Sequence, residues 1–209
     1  MGEITWRGVT IAWAHPSEQA TFFEADVARM GAAQLERYRR APAHRAQSFL
    51  AGRALIRDLV VRLGGGSIVS IDSVCARCGE DHVAPRTPGF LLSVSHAQDL
   101  VVVAAAPTAA VGALGVDVEA WSDQSRATEL APLFAPAESP GLDGWTRIEA
   151  AVKADGRGIR IDPGDVQLRA EEKATGVPEW FARLPGRERM LRVATLPGPP
   201  GFVLSAARD

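Results

Sequence analysis

The sequence has little cysteine, little net charge and no long apolar run, and each shortage excludes a class of protein. Only two of its 209 residues are cysteine, too few for the disulfide scaffold of a small secreted protein. A formal net charge of −2 argues against a nucleic-acid-binding protein held by bulk positive charge. The longest apolar stretch, residues 100–114, is shorter than the ~18 residues that a membrane-spanning helix requires and contains Pro107.

The remaining composition is that of a globular protein with a sizeable core. Hydrophobic residues make up 46% of the chain, and a chain of this length buries about 70% of the surface that it exposes when unfolded. The first residues include Glu3 and Arg7 and lack the basic region and apolar block of a signal peptide. We therefore expect a cytoplasmic protein with neither a membrane nor a nucleic acid as its partner.

Helical and extended segments alternate in the pattern of apolar residues. Apolar positions that recur every three to four residues predict helices over 18–38, 44–63 and 145–154. Residues 75–88, which contain both cysteines and two prolines, are predicted to form a loop. Strand-like runs fill much of the rest, so the chain is expected to belong to the α+β class.

One hairpin pattern occurs twice in the sequence. The two apolar runs within residues 91–104, joined by a short polar turn, resemble the two runs within residues 191–206. Each pair of runs follows an amphipathic helix. Two similar α+β lobes, residues 1–108 and 109–209, would account for this repetition.

Two carboxylates alternate along the predicted strand Gly115-Val116-Asp117-Val118-Glu119. Since the side chains of a strand alternate between its faces, Asp117 and Glu119 are expected to share one face. Like charges this close repel unless a cation lies between them, and carboxylate oxygens are the ligands that Mg²⁺ or Mn²⁺ prefers. The alternative is a solvated face at the end of a strand.

Glu149 and Lys153 lie four residues apart on the helix predicted over 145–154. This spacing places them on one face, where a surface ion pair worth ~0.3–0.5 kcal/mol is the simplest interpretation. The apolar stripe of the same helix favours docking against another element.

Two further groups of residues can carry chemistry. Ser95 and His96 end a predicted strand at a turn, where the imidazole can donate to a phosphate oxygen or can simply be solvated. Cys75, Cys78 and His82 supply three of the four ligands that a structural zinc ion requires. Two free thiols are therefore the preferred interpretation of the cysteine pair.

Taken in order, these motifs resemble the Sfp-type 4′-phosphopantetheinyl transferases, which prime carrier proteins from coenzyme A. The resemblance runs from about Arg37 to Gly158. It includes these segments in sequence: Ala51-Gly52-Arg53-Ala54-Leu55-Ile56-Arg57, Ser93-Val94-Ser95-His96, Gly115-Val116-Asp117-Val118-Glu119, Phe134 with Glu138, Trp145 through Glu149, Lys153, and Gly156-Arg157-Gly158. The order and spacing of the set, rather than any single member, carry the resemblance.

The resemblance implies a role for each matching residue. The implied ligands of Mg²⁺, together with the coenzyme A diphosphate, are Asp117, Glu119 and Glu149. Phosphate oxygens would be bound by Lys153 and His96, with Ser95 beside them. The remaining candidates are Arg45 and Arg53 for the 3′-phosphate or diphosphate, His44 and Arg40 as weaker ones, and Glu138 as a base or water-orienting group. Alanine at Asp117 or Glu149 is expected to abolish turnover and leave the fold intact.

The resemblance also implies an overall arrangement and a partner. The family has two α+β lobes related by a pseudo-twofold axis, with the active site at the lobe interface. The acceptor would be a serine of an acyl or peptidyl carrier protein, and the chain is expected to be a monomer because it carries both lobes.

The chain departs from the family pattern at two places. Val83-Ala84-Pro85 replaces a common Gly-Lys-Pro, and Ile148 replaces a lysine that often precedes the helix glutamate. A catalytically weakened or non-catalytic coenzyme A-binding relative is therefore the alternative. A small metal-dependent phosphate-binding domain unrelated to coenzyme A is a third interpretation.

Overall fold

The computed structural model describes residues 1–19, 21–74, 81–123, 128–135, 138–171 and 176–209. The fold is mixed α/β, with two antiparallel sheets and a few helices. The chain divides into two compact units, Met1–Val111 and Gly112–Asp209, which we call the first and second unit. Within the described residues, no helix is both long enough and apolar enough to cross a membrane.

The first unit contains a six-stranded antiparallel sheet. Its strands are β1 (Gly2–Trp6), β2 (Val9–Ala14), β3 (Asp72–Val74), β4 (Asp81–Thr87), β5 (Phe90–Ala97) and β6 (Leu100–Pro107). Their spatial order is β1-β2-β6-β5-β4-β3. Strands β1 and β2 are joined at Arg7 and Gly8, which both have positive φ, as the tightest hairpin turns require.

Three helices of the first unit accompany this sheet, namely α1 (Glu24–Arg29), α2 (Ala32–Arg40) and α3 (Ala43–Arg62). Helix α3 packs on β2, β5 and β6. Its fully buried side chains include Leu55, Ile56 and Leu59, which join Val101 and Val103 of β6 in one apolar core.

The second unit contains a five-stranded antiparallel sheet and one long helix. The strands are β7 (Leu114–Ala120), β8 (Gln167–Ala170), β9 (Glu179–Arg183), β10 (Leu191–Leu196) and β11 (Phe202–Arg208). Their spatial order is β7-β11-β10-β9-β8. Helix α4 (Gly141–Asp155) packs across β7, β11 and β10.

Two expectations about local structure were wrong, and a third was right except for the start of the helix. Residues 18–38 do not form one helix, because Gly31 has a φ of 131° that no α-helix accommodates and separates α1 from α2. Residues 81–87 form β4 instead of a loop, although they lack an alternating apolar pattern and contain Pro85, which cannot donate to a ladder. The helix expected over 145–154 begins earlier, at Gly141.

Candidate functional site

Strand β7 presents Gly115, Asp117 and Glu119 on one face, and helix α4 covers that face. A β-carbon on Gly115 would lie 2.0 Å from the carbonyl oxygen of Ala150 and 2.6 Å from the amide nitrogen of Ala154. Only glycine therefore allows the helix to approach the strand this closely. The alternating residues Val116 and Val118 are buried on the other face.

Helix α4 contacts both carboxylates of β7. Lys153 donates from Nζ to Oδ1 of Asp117 at 2.6 Å, and Trp145 donates from Nε1 to Oε1 of Glu119 at 3.2 Å. The helix therefore runs antiparallel to the strand. Glu149 lies four residues after Trp145 and four before Lys153, so it occupies the same side of the helix, between these two contacts.

The two carboxylates of β7 differ in exposure. Asp117 is buried, with 5% of its surface exposed, whereas Glu119 is only partly buried. Glu149 and Lys153 are also partly buried. The centre is therefore one buried carboxylate, two more accessible ones and an ammonium group that reaches inward from the helix. We call these four residues the acidic centre.

A chain of hydroxyl groups fixes the first turns of α4 on the sheet. Nε of Arg147 donates to Oγ1 of Thr195 at 2.9 Å, and the hydroxyls of Thr195 and Ser205 are 3.1 Å apart. The Ser205 hydroxyl is 2.8 Å from that of Thr146, which donates to the carbonyl oxygen of Asp143 at 3.0 Å. Each hydroxyl has one proton, so every link is satisfied when each accepts from the preceding group and donates to the next.

This hydroxyl chain lies beside the acidic centre. Ser205 of β11 is paired in register with Asp117 of β7, and Thr195 of β10 is paired with Ser205. Trp145, Thr146 and Arg147 thus reach three adjacent strands from successive positions of the helix. This arrangement sets the rotation of α4 about its axis and turns Glu149 toward β7.

Arg147 is held on the opposite side of α4 by an aromatic ring. Its guanidinium carbon lies 3.6 Å from the centroid of the Trp180 ring. Burial lowers the pKa of this guanidinium, while the charge of Asp143 acts in the opposite direction. The sequence did not suggest Arg147 as a packing residue, because its aromatic partner lies on β9, 33 residues away in the sequence.

The end of α4 is anchored by a carboxylate that two arginines contact. Arg157 donates from Nη2 to Asp155 at 3.1 Å and to the carbonyl oxygen of Pro185 at 2.7 Å. Arg187 reaches the same carboxylate at 3.4 Å. Burial opposes ionisation of Asp155, but the hydrogen bonds and charges of the two arginines outweigh burial and lower the pKa of this carboxyl below its ordinary 3.8. Gly156 then ends the helix with a φ of 82°.

The acidic centre contains the residue types that can bind a hard divalent cation. Carboxylate oxygens from Asp117, Glu119 and Glu149 are the ligands that Mg²⁺ takes in proteins. Both strand carboxylates are engaged by protein donors in this structure, Asp117 by an ammonium and Glu119 by an indole. In the part of the chain that the structure describes, no three acidic, histidine or cysteine side chains form a ready metal-binding group.

The remaining candidates from the β5 strand belong to the first unit and lie on two faces of its sheet. Ser95 is buried, whereas His96, the next residue along β5, is exposed. Because successive strand residues point to opposite faces, these two side chains do not share a face. Leu92 and Val94 share the face of His96 and pack in the core beneath α3.

Arg53 is buried in the first unit, with 5% of its surface exposed. Its Nε donates to Oε1 of Gln34 at 2.7 Å, and Nε2 of Gln34 donates to the Ser73 hydroxyl at 2.7 Å. The guanidinium also lies 4.2 Å from the centroid of the Phe49 ring. These contacts tie α3 to α2 and β3, a structural role that the sequence did not suggest.

The other arginine and histidine candidates of the first unit are accessible. His44 and Arg45 are exposed in the first turn of α3, and Arg40 is exposed at the end of α2. The N-terminal end of a helix favours anions. Arg45 is therefore better placed than Arg53 to meet a phosphate from solvent.

Five further positions were singled out in the sequence. Glu138 is exposed, while Phe134, four residues earlier, packs edge-on against Trp145 with ring centroids 6.3 Å apart. Ile148 is buried in the core of the second unit, so this position supplies packing in this protein. Cys75 and Cys78 lie outside the described residues.

No family model matches this chain, and no curated protein is significantly similar to it in sequence.

Proposed function

We propose that this protein is a 4′-phosphopantetheinyl transferase that moves the phosphopantetheine arm of coenzyme A to a serine of an acyl or peptidyl carrier protein. The observation that carries the proposal is the docking of α4 on β7, which places Lys153 on Asp117 and Glu149 on the same side of the helix. These residues are part of the ordered set of motifs on which the resemblance of the sequence depends. The proposal includes two pseudo-symmetric lobes with the active site at their interface.

In the proposed reaction, the carrier serine oxygen bonds to the phosphorus that carries pantetheine. The bond from that phosphorus to the bridging oxygen of the diphosphate breaks, and adenosine 3′,5′-bisphosphate leaves. Mg²⁺, when bound, neutralises charge on the diphosphate. The residues that would hold it are Asp117, Glu119 and Glu149, and no covalent enzyme intermediate is needed.

The chain's own side chains would bind the donor and move the proton. Lys153 and His96 would neutralise phosphate oxygens, and Arg45 would bind the 3′-phosphate. Ser95, which is buried on the face of β5 opposite to His96, would not share that site. A carboxylate would accept the serine proton as the new bond forms, and Glu149 or Glu138 are the candidates.

The test is the mass of an apo carrier protein after incubation with this protein, coenzyme A and Mg²⁺. A gain of one phosphopantetheine arm is expected. Glu149→Gln should lose the gain, whereas Glu188→Gln, an exposed carboxylate of the same unit, should retain it. Asp117 is buried and paired, which contradicts the expectation that alanine there is harmless to the fold, so Asp117→Asn is the better variant.

The outcomes separate the proposal from its alternatives. Coenzyme A binding by calorimetry without transfer to any of several carriers would replace the transferase with a non-catalytic coenzyme A-binding protein. Failure to bind coenzyme A would overturn both and leave a phosphate-binding domain of another kind.

A further inference from the structure

We infer that Lys153 occupies the cation position on Asp117 while the site holds no substrate, and that the coenzyme A diphosphate draws it away. Metal ion and diphosphate would then bind cooperatively, because the anion removes the competitor of the metal. The inference rests on the proposed function for the identity of the anion. The competition between Lys153 and a metal ion can be tested without coenzyme A.

The ion pair between Lys153 and Asp117 is the first observation. Nζ lies 2.6 Å from Oδ1, the Asp117 side chain is 6% exposed and that of Lys153 is 31% exposed. A charge-assisted hydrogen bond to a buried carboxylate is short and strong. A divalent cation that uses this oxygen must therefore displace the ammonium or share the carboxylate with it.

Because the Lys153 side chain is partly exposed, its ammonium group can move away from Asp117. Its partly exposed stem starts near the end of α4, two residues before Asp155, which is anchored by Arg157. The helix is thus fixed while the four-carbon side chain retains rotatable bonds. A lysine head group can move between two anions without any movement of the backbone.

Lysine is a rare residue in this chain, which has arginine at almost all of its other cationic positions. Of its 23 cationic residues, 21 are arginine and only two, Lys153 and Lys173, are lysine. Arginine binds carboxylates through a rigid fork, whereas lysine is a compact point charge on a flexible stem. A position that must release its carboxylate when another anion arrives favours lysine.

The consequence is a thermodynamic coupling between two ligands. Metal binding to the free protein carries the cost of removing Lys153 from Asp117, and bound diphosphate supplies the ammonium with a new partner. By linkage, the factor by which diphosphate improves metal binding equals the factor by which metal improves diphosphate binding. Removing the ammonium should tighten metal binding to the free protein.

The decisive experiment titrates Mn²⁺ alone into the full chain and follows free Mn²⁺ by electron paramagnetic resonance. Lys153→Met removes the charge, keeps an unbranched side chain one atom shorter than lysine, and should bind Mn²⁺ about tenfold more tightly than the wild type, as expected for the loss of one charge-assisted hydrogen bond from the competing state. Asp117→Asn should abolish this gain. Arg160→Met, which removes an exposed cation of the same unit, controls for the general loss of one positive charge.

Lys153→Met binding no more tightly than Arg160→Met would overturn the inference, provided that circular dichroism shows a folded chain. Lys153→Gln offers a second neutral side chain if the methionine variant fails to fold. Tighter binding by both neutral variants would support displacement of the ammonium by the metal.

A second measurement follows the lysine itself. Protein labelled with ¹⁵N-lysine contains two side-chain ammonium groups, and Lys173→Arg assigns them. Coenzyme A with Mg²⁺ should shift the Lys153 signal, and an unchanged signal in a complex shown to have formed would contradict the inference. If coenzyme A does not bind, the proposed function fails, while the Mn²⁺ comparison still decides whether Lys153 competes for Asp117.

Discussion

Gly115 determines how closely helix α4 approaches strand β7. A β-carbon at this position would meet backbone atoms of Ala150 and Ala154, which cannot move aside as a flexible side chain can. We therefore expect Gly115→Ala to force the helix away from the strand and to lower the free energy of unfolding by about 1–3 kcal/mol. Urea denaturation measures this change.

The matched control for that substitution is Gly66→Ala. A β-carbon at Gly66 has open space around it and no positive φ to strain. Alanine there should leave stability unchanged or raise it slightly, because it restricts the unfolded chain. Equal effects at the two glycines would show that close helix–strand approach is not what Gly115 provides.

The carboxyl group of Asp155 predicts that the stability of the protein depends on pH. Its folded pKa is lowered, so the ionised carboxylate stabilises the folded protein above the ordinary pKa of 3.8, and this contribution is lost as the pH falls through the lower folded value. Asp155→Asn should cost about 1–3 kcal/mol at pH 7, through weakened bonds to Arg157 and Arg187. The difference from the wild type in denaturant unfolding should shrink toward pH 2, and a pH-independent difference would contradict this assignment.

At the scale of elements, the hydroxyl chain between α4 and the sheet predicts an energetic coupling. Thr146→Val and Ser205→Ala each remove one hydroxyl from a buried pair and should each lower the free energy of unfolding by about 1–2 kcal/mol. The double variant should cost less than the sum of the two, because the loss of the Thr146–Ser205 contact is then counted once, while Thr195 loses its contact with Ser205 in both the Ser205 variant and the double variant. Strict additivity in urea denaturation would show that the two hydroxyls do not act together.

The elements that are predicted correctly from the sequence have either a recurring apolar pattern or a continuous apolar run. Helix α3 follows from its recurring apolar positions, and β5 and β6 follow from their apolar runs. Strand β4 lacks such a pattern, and β9 is a short run whose pairing with β8 and β10 depends on distant segments. Their formation reflects tertiary pairing, which local sequence does not encode.

The acidic centre also has one part that the sequence predicts and one part that depends on tertiary packing. The shared face of Asp117 and Glu119 follows from the period of a strand, and the shared side of Glu149 and Lys153 follows from that of a helix. The contact of Lys153 with Asp117 depends on how α4 docks, which Gly115 and the hydroxyl chain decide. No periodic pattern in the sequence predicts this contact, because Asp117 and Lys153 are 36 residues apart.

At the scale of the whole molecule, the distribution of charge over the surface affects association with a partner more than the net charge does. The net charge is only −2, yet the end of α2 and the start of α3 expose Arg39, Arg40, His44 and Arg45 close together in the sequence. Arg39 and Arg40 are paired with Glu24 and Glu36, but both arginines and Glu36 are exposed and Glu24 is about half exposed. Such exposed pairs contribute little to stability and remain available to an acidic partner.

If the partner is an acidic carrier protein, as the proposed function implies, this basic segment should steer its approach. Raising the salt concentration should then lower kcat/KM for the carrier, because screening weakens long-range attraction between exposed charges. Arg39→Gln should lower kcat/KM by about threefold at low salt and leave KM for coenzyme A unchanged. Arg169→Gln, an exposed arginine on β8, should have no effect. A transfer rate indifferent to salt and to Arg39 would show that the carrier approaches through another surface, while an equal loss in the Arg169 variant would indicate a general charge effect.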